Sequence, residues 1–420
     1  MAARLVAARH LDDRPRAMRD IILKPGRDRS LRRGHPWLMS GAVARMTGDA
    51  EASPGEWVCV RSADGEVIGH GHLSPASTIR VRLLCFGEDD PGEGLLEARI
   101  AASVGQREAH PLLSDTDAIR LVNAEADGLP GLVVDRFADV LVVKLLSVGM
   151  SVRESAVAQA LKSVTEAPHA LLRADGRSAR REGFAAKQGV LWGTPPERVE
   201  IVERGRRYAV DVHHGQKTGF YLDQRDARDL VQHLAEGRRT LDVFSYTGGF
   251  AVAAGVGGAK SLDLIESSAD ALKRAGENLA RNELTMPAGL RRGDAFALLR
   301  EGVAAGETWD LLILDPPPLA RRKADVKKAS RAYKDLLLQG FACAAPGAYV
   351  LAFTCSHHVS PELFSQIVFA AALDAGRDVQ VQGRLAAPAD HPVSVRQPEG
   401  HYLSGLLLRV AGDAGRESSA

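Results

Sequence analysis

The 420-residue chain holds only four cysteines, Cys59, Cys85, Cys343 and Cys355, and no two of them form a CxxC pair. No secretory apolar segment precedes them, so the thiols are expected to be reduced and the protein cytoplasmic. The Arg-rich start suggests a transit peptide, but Asp12 and Asp13 argue against one. Nor does any apolar run approach the roughly 18 residues of a membrane-spanning helix, which sets membrane roles aside. A net charge of +1 excludes a globally basic nucleic-acid coat. The chain also lacks a second His/Cys cluster at ligand spacing, so no metal site is expected. The GxGxxG fingerprint is missing as well, which leaves an NAD-linked oxidoreductase without its phosphate cradle.

What is present is unevenly distributed. Residues 1–33 carry ten Lys/Arg against four Asp, a local basic excess suited to facing phosphates. At this length two or three domains are expected rather than one core. After a basic extension over 1–19, residues 20–90 read as a small β-barrel, with strand patterns at Ile21–Leu23, Trp57–Val60, Val67–Gly69 and Ile79–Leu84 punctuated by Pro25-Gly26, Gly34-His35-Pro36 and Asp64-Gly65. Residues 95–200 mix helix and strand as a central α+β domain. Over 201–412 the pattern becomes strand–helix alternation, the mark of a parallel sheet. Strands are predicted at 240–244, 260–265, 310–314 and 348–354, with helices at 250–257, 268–282, 327–343 and 360–375. Two last strands, 378–384 and 402–410, have no helix between them and imply an antiparallel hairpin at a sheet edge. Residues 413–420 read as a disordered tail. The fold class is thus α/β, with a Rossmann-like C-terminal sheet.

Three strand ends carry chemistry. Leu241-Asp242-Val243-Phe244-Ser245-Tyr246-Thr247-Gly248-Gly249-Phe250 is a strand, a tight turn and a helix start, and its glycines admit a ligand to the backbone. About twenty residues on, Glu266 ends the next strand, where a carboxylate can accept both ribose hydroxyls; Asp263 competes but lies three residues early. Asp294, in Arg292-Gly293-Asp294-Ala295-Phe296, falls where a base amino group would be read. Each acid alone reads equally as a solvated carboxylate or a helix N-cap. In order at successive strand ends, they fit a nucleoside without phosphates, S-adenosylmethionine. Asp315-Pro316-Pro317-Pro318 and Thr354-Cys355-Ser356 close two further strands at the same expected crevice.

From about residue 20 onward the chain resembles the bacterial, PUA-domain-containing class I 23S rRNA cytosine-C5 methyltransferases. The resemblance rests on His214-Gly215-Gln216-Lys217-Thr218-Gly219-Phe220-Tyr221-Leu222-Asp223-Gln224-Arg225-Asp226, Phe244 to Phe250, Asp315-Pro316-Pro317, Arg331-Ala332-Tyr333-Lys334-Asp335, Thr354-Cys355-Ser356 and Ala389-Asp390-His391-Pro392. Leu23-Lys24-Pro25-Gly26-Arg27 and Gly34-His35-Pro36-Trp37 look like the start of that family's PUA barrel, and Leu121 to Gly131 like its central domain. The resemblance implies 5-methylcytidine formation in RNA, 23S rRNA above all, with S-adenosylmethionine as cofactor and room for a homodimer. It implies a cofactor site from Phe244 to Phe250, Glu266, Asp294 and Asp315, covered by the segment carrying Lys217, Thr218, Asp223 and Arg225. It also places RNA at Lys24, Arg27, Arg321, Arg322, Lys323 and Tyr333.

Cytosine C5 is too weak a nucleophile to take a methyl group unaided. A thiolate adding to C6 makes C5 enamine-like, which is covalent catalysis and needs a reachable thiol. Cys355 is the candidate nucleophile and Asp315 the carboxyl that binds the base; the competing reading for any cysteine is a buried apolar residue, which Cys59, Cys85 and Cys343 keep. His357 and His358 read as solvated loop residues. Leu319 departs from the family, which carries a base-stacking aromatic there; Tyr333 or Phe353 are the substitutes on offer. Two alternatives stay open: N-methylation of guanine or adenine without a cysteine, and an RNA-binding protein with a degenerate methyltransferase fold.

Overall fold

The computed structural model describes residues 18–411, apart from 49, 50, 89, 90 and 93. The basic extension before Met18 and the tail at 413–420 lie outside the described residues. No helix of the described residues is long and apolar enough to cross a membrane.

The strands between Arg19 and Phe86 form one six-stranded sheet. Its pairings are antiparallel except that Arg19–Leu23 runs parallel to Trp57–Arg61. A second, five-stranded sheet spans Ala118–Trp192, flanked by helices Leu95–Glu108 and Glu154–Thr165, and a short antiparallel ladder joins Val199–Glu203 to Arg206–Val210.

The C-terminal sheet has seven strands: β1 (Arg239–Val243), β2 (Ser261–Glu266), β3 (Ala288–Arg292), β4 (Trp309–Leu314), β5 (Ala344–Thr354), β6 (Val379–Leu385) and β7 (Ser404–Val410). Their spatial order is β3-β2-β1-β4-β5-β7-β6. The first five are parallel, while β7 runs antiparallel to both β5 and β6. The late strands therefore form the expected antiparallel edge, with β7 inserted between β5 and β6. β3 and the helix behind it, Ala295–Ala304, are not among the predicted elements.

The side-chain period of two explains the layering. On β4, Leu311 and Ile313 enter one core while Leu312 and Leu314 enter the other; on β5, Leu351 and Phe353 face the first and Val350 and Ala352 the second. Helices α1 (Gly249–Val256) and α2 (Ala269–Arg281), with the helix Arg225–Leu234, cover the first face. The second is covered by α3 (Ala295–Ala304), α4 (Val326–Ala342) and α5 (Pro361–Asp374). Both faces buried is what a parallel sheet requires, and it yields near-continuous apolar runs such as Leu311-Leu312-Ile313-Leu314.

The first core does not stop at the C-terminal sheet. Ala118, Phe137, Val140 and Val142 of the central sheet share it with Tyr208, Val210, Phe220 and Ala227. Beside it lies a buried charge cluster. Glu203 is fully buried and accepts from Arg228 Nε and Nη2 at 2.7 and 2.6 Å, with Arg206 at 3.2 Å and Arg225 at 3.5 Å. Burial alone would raise the Glu203 carboxyl, but the three guanidiniums hold it below its ordinary value. Arg225, also fully buried, continues to Asp390 at 2.9 Å and to the Ala118 carbonyl at 2.6 Å. Removing one partner of such a cluster strands the others without counter-charge.

Glu203→Gln is therefore expected to cost about 3–5 kcal/mol in denaturant unfolding; a loss under about 1 kcal/mol would show that the cluster is not the tie described. A second expectation concerns pH. Asp242, 1% exposed at the end of β1, accepts from Ala251 N at 3.1 Å, and burial above all, helped by Asp315 and Glu266, pushes its carboxyl up to about 8. A raised folded value means that the native state holds a proton that the unfolded chain has released above its ordinary 3.8. This contribution to stability is full below that value and is lost as pH rises through about 8. Asp242→Asn should thus gain in relative Tm over the unsubstituted protein between pH 5 and 9; a constant Tm difference would contradict the assignment.

Candidate functional site

Adjacent parallel strands bring their carboxyl ends to one edge. Leu314 of β4 pairs with Ala352 of β5 and with Val243 of β1. Asp315 and Cys355, which follow β4 and β5, therefore sit side by side, and the Cys355 thiol lies 3.7 Å from the Pro316 carbonyl. Burial, and then Asp315, pushes the thiol up to about 12. Asp315 itself is raised to about 7 by burial and then by Asp223. Gln224 Nε2 donates to Asp315 Oδ2 at 3.0 Å, which leaves the other carboxyl oxygen to carry a proton.

The segment from Asp211 to Gln224 folds over this edge. Asp223 is buried, accepts from Tyr402 OH at 2.6 Å and pairs with Lys217. Burial opposes its charge, but Lys217, His391 and Tyr402 hold its carboxyl far below the usual range. The Lys217 ammonium lies 4.4 Å from the Tyr221 ring centre and 5.7 Å from that of Tyr402, within reach of both faces. Lys217 itself holds φ +53°.

The turn after β1 is the most strained piece of backbone at the site. Phe244 and Tyr246 hold φ +66° and +49°, which side chains adopt at a cost of order 1–3 kcal/mol each. Phe244 N and Ser245 N both donate to the Ile265 carbonyl, and Tyr246 N donates to Glu266 Oε2 at 3.0 Å, tying the turn to the end of β2. Gly248 at φ +78° starts α1, and a Cβ there would stand 3.0 Å from the Ala275 methyl.

The predicted site residues divide into those that converge and those that do not. Asp315, Cys355, Lys217, Asp223, the Phe244–Gly249 turn and Glu266 gather at the strand edge. Asp294 lies at the next strand end, but it is exposed and its Oδ1 caps α3 through Ala297 N at 2.9 Å. Asp263, the competitor to Glu266, is committed to Trp309 Nε1 and Arg291. Thr218 donates to the buried Asp135 at 2.6 Å, Arg225 is enclosed by Glu203, Asp390 and Ala118, and Phe250 stacks on Phe353 in the core. These three hold architecture together rather than face the crevice.

Tyr333 is a correction. It is 1% exposed, with its hydroxyl bonded to Thr354 and Ser356, so it supports the Cys355 loop from behind and cannot touch RNA. Phe353 is equally buried, and Leu319 packs against the second core. None of the three offers a ring to an extruded base. Arg321, Arg322 and Lys323 are exposed, Arg322 alone pairing with Asp325, and Lys24 reaches the Gly41 carbonyl. Missed in the sequence were Asp242, Gln224, Tyr402 and Phe296, whose ring meets Phe244 edge-on beside Asp294 at 6.3 Å. Asp242 and Gln224 lay inside motifs already singled out; nothing in local pattern marks Tyr402, which arrives from the loop just before β7.

The residues present fit S-adenosylmethionine. Among the described residues, Ser245 Oγ, Asp223 Oδ1 and Asp242 Oδ1 are buried without a partner, and the carboxyl-rich edge suits a sulfonium and an ammonium. Comparison with known proteins agrees. A family model described as S-adenosylmethionine-dependent methyltransferase matches residues 125–398, and one for a PUA-like domain matches residues 21–86. Proteins named ribosomal RNA large subunit methyltransferase I, from Cronobacter sakazakii and Salmonella arizonae, are each 39% identical; the first aligns over 93% of this chain and 99% of its own, the second over 93% and 97%. The fold is that of SMU.776, a structure assigned as a methyltransferase and complexed with SAH (TM-score 0.81, 22% identity, 93% of this chain and 100% of that one). A chain from Streptococcus mutans, assigned as a SAM-dependent methyltransferase, superposes at TM-score 0.79 with 22% identity over 93% of this chain and 100% of its own. With strand order, strand-edge chemistry and relatives in accord, this chain belongs to the S-adenosylmethionine-dependent methyltransferase family.

Proposed function

We propose that the chain methylates carbon 5 of a cytosine in RNA, with large-subunit ribosomal RNA as substrate, through a covalent bond between Cys355 Sγ and C6 of the base. The observation that carries this reading is a thiol and a near-neutral carboxyl at the ends of adjacent parallel strands. The name shared by the 39% identical relatives supports the RNA substrate. Cytosine presents an acceptor at N3 and a donor at N4. A carboxyl answers both only while it holds a proton, and Asp315, raised to about 7, holds one through much of the neutral range.

In this mechanism Cys355 Sγ bonds to C6 as its S–H bond breaks. Asp315 gives a proton to N3 and takes up the one that the thiol releases, so both groups begin neutral and no net charge is created in the crevice. The ring electrons then reside at C5, which becomes enamine-like. S-adenosylmethionine, which the Phe244–Gly249 turn and Glu266 would hold, would supply the methyl group as carbon bonded to a sulfonium. A water molecule acting as base then takes the C5 proton, whose bonding electrons rebuild the C5–C6 double bond as Cys355 departs with the electron pair of the Sγ–C6 bond. Asp315 passes its proton to the thiolate and takes back the one on N3, so that both groups end neutral. Gln224 and Tyr333 hold Asp315 and the Cys355 loop in place.

Cys355→Ala is expected to lower 5-methylcytidine formation by roughly 10⁴-fold or more, the scale of losing a nucleophile, as read by mass spectrometry of digested rRNA. RNA carrying 5-fluorocytidine should trap the unsubstituted enzyme covalently, because C5 then has no proton to release, and should leave the variant free. Product from Cys355→Ala at an undiminished rate would remove the covalent mechanism. Asp315→Asn should cost roughly 10²–10⁴-fold, the range of a general acid. In the unsubstituted enzyme the proton-donating form of Asp315 is lost as pH rises through about 7. The resulting descending limb of kcat/KM should vanish in Asp315→Asn; a limb that persists there would assign it to another group.

A further inference from the structure

Away from the strand edge, a concave space of about 700 Å³ lies where the N-terminal sheet meets the loop before β7. Arg27, Arg29 and Arg33 line it from the first side, and Val395 and Arg396 from the second. All four arginines are exposed, and among the described residues none pairs with a carboxylate. The contrast with Arg32 is direct, since its guanidinium turns outward to Asp28 and Glu66. Four like charges without a carboxylate partner around one hollow repel each other, and an anionic occupant would relieve that repulsion.

The two walls are held at fixed spacing. Gly34, at φ +86°, leaves room for Arg396, whose Cδ stands 2.6 Å from where a Cβ would be. His35 Nδ1 accepts from Trp37 N, so its Nε2 is the donor that meets Glu399 at 3.2 Å across the seam. The loop is anchored at its base and free at its tip. Asp390 Oδ2 accepts from Arg120 N and from Arg225, each at 2.9 Å, and Asn123 donates to the Pro392 carbonyl at 2.8 Å. Val395, three residues beyond Pro392, is 97% exposed.

We infer that this groove is a phosphate clamp for the RNA strand, built jointly by the two domains, which fixes the distance between the bound backbone and Cys355. Among the described residues the only ring on its walls is that of His35, so it reads backbone rather than bases and sets register without sequence preference. Four guanidiniums in a hollow of this size match a few consecutive phosphates, with Val395 against a sugar or base face. The inference rests on RNA being the substrate.

The test is binding of protein-free bacterial 23S rRNA to the full chain and to Arg33→Gln/Arg396→Gln, across 50–300 mM salt. Both side chains are exposed, so melting temperature and S-adenosylmethionine affinity should match those of the unsubstituted chain. The double variant should bind roughly 10- to 100-fold more weakly at moderate salt. Its slope of log K against log salt should be shallower by about one per arginine removed. Equal affinity and slope for the two proteins would overturn the clamp while leaving the RNA substrate intact, and would be the outcome if the groove instead takes an acidic protein. Failure of the unsubstituted chain to bind the RNA would overturn the substrate assignment first, and the clamp with it.

Discussion

Everything at the strand edge follows from crowding acidic groups where water is scarce. Asp223, Asp242, Glu266 and Asp315 meet around the ends of β1, β2 and β4, and Lys217 is the ammonium set among them. One carboxylate, Asp223, takes that ammonium and stays ionised; Asp315 and Asp242 are left to keep their protons. The division decides the chemistry. Without the Lys217–Asp223 pair the edge would be a group of interchangeable acids, whereas with it one carboxyl can donate a hydrogen bond at neutral pH. The same crowding holds Cys355 as a thiol until a base arrives to share the cost of ionising it.

Much of this was legible in the chain. Apolar runs of β-length alternating with helical stretches announced the parallel sheet, and the motifs at its strand ends announced the crevice. Strand β3, Ala-Gly-Leu-Arg-Arg, escaped because it is an edge strand with alternating exposure and little apolar content. In the N-terminal sheet, the three residues Trp37–Met39 were too short for a period to register. Site errors had a different origin. Thr218, Arg225 and Tyr333 lie in the right motifs, but membership in a motif does not say which way a side chain points. Arg225 and Tyr333 turn inward to satisfy buried partners, and that is tertiary information.

The charge network around Glu203 shows why those residues belong to the motif at all. The segment that folds over the crevice, Lys217 to Asp223, is followed at once by Arg225 and Arg228, which are fixed to Glu203 and Asp390. The crevice cover is thus attached to a fully buried charge network. Tyr402 and His391 reach Asp223 from the loop between β6 and β7, so the cover is gripped from both sides.

The shared core of the central and catalytic sheets has an evolutionary consequence. A domain that buries its own apolar surface can be exchanged between proteins by recombination at a linker. Here a cut between the central sheet and β1 would expose Phe137, Val140 and Val142 on one fragment and Tyr208, Phe220 and Val231 on the other. Neither half would be left with a closed interior. The catalytic sheet can therefore be moved only together with its central neighbour. The N-terminal sheet has a core of its own around Ile21, Val58 and Val81, but Leu84 reaches into the central core and Arg82 is buried against Glu182, so that exchanging it would uncover partners as well.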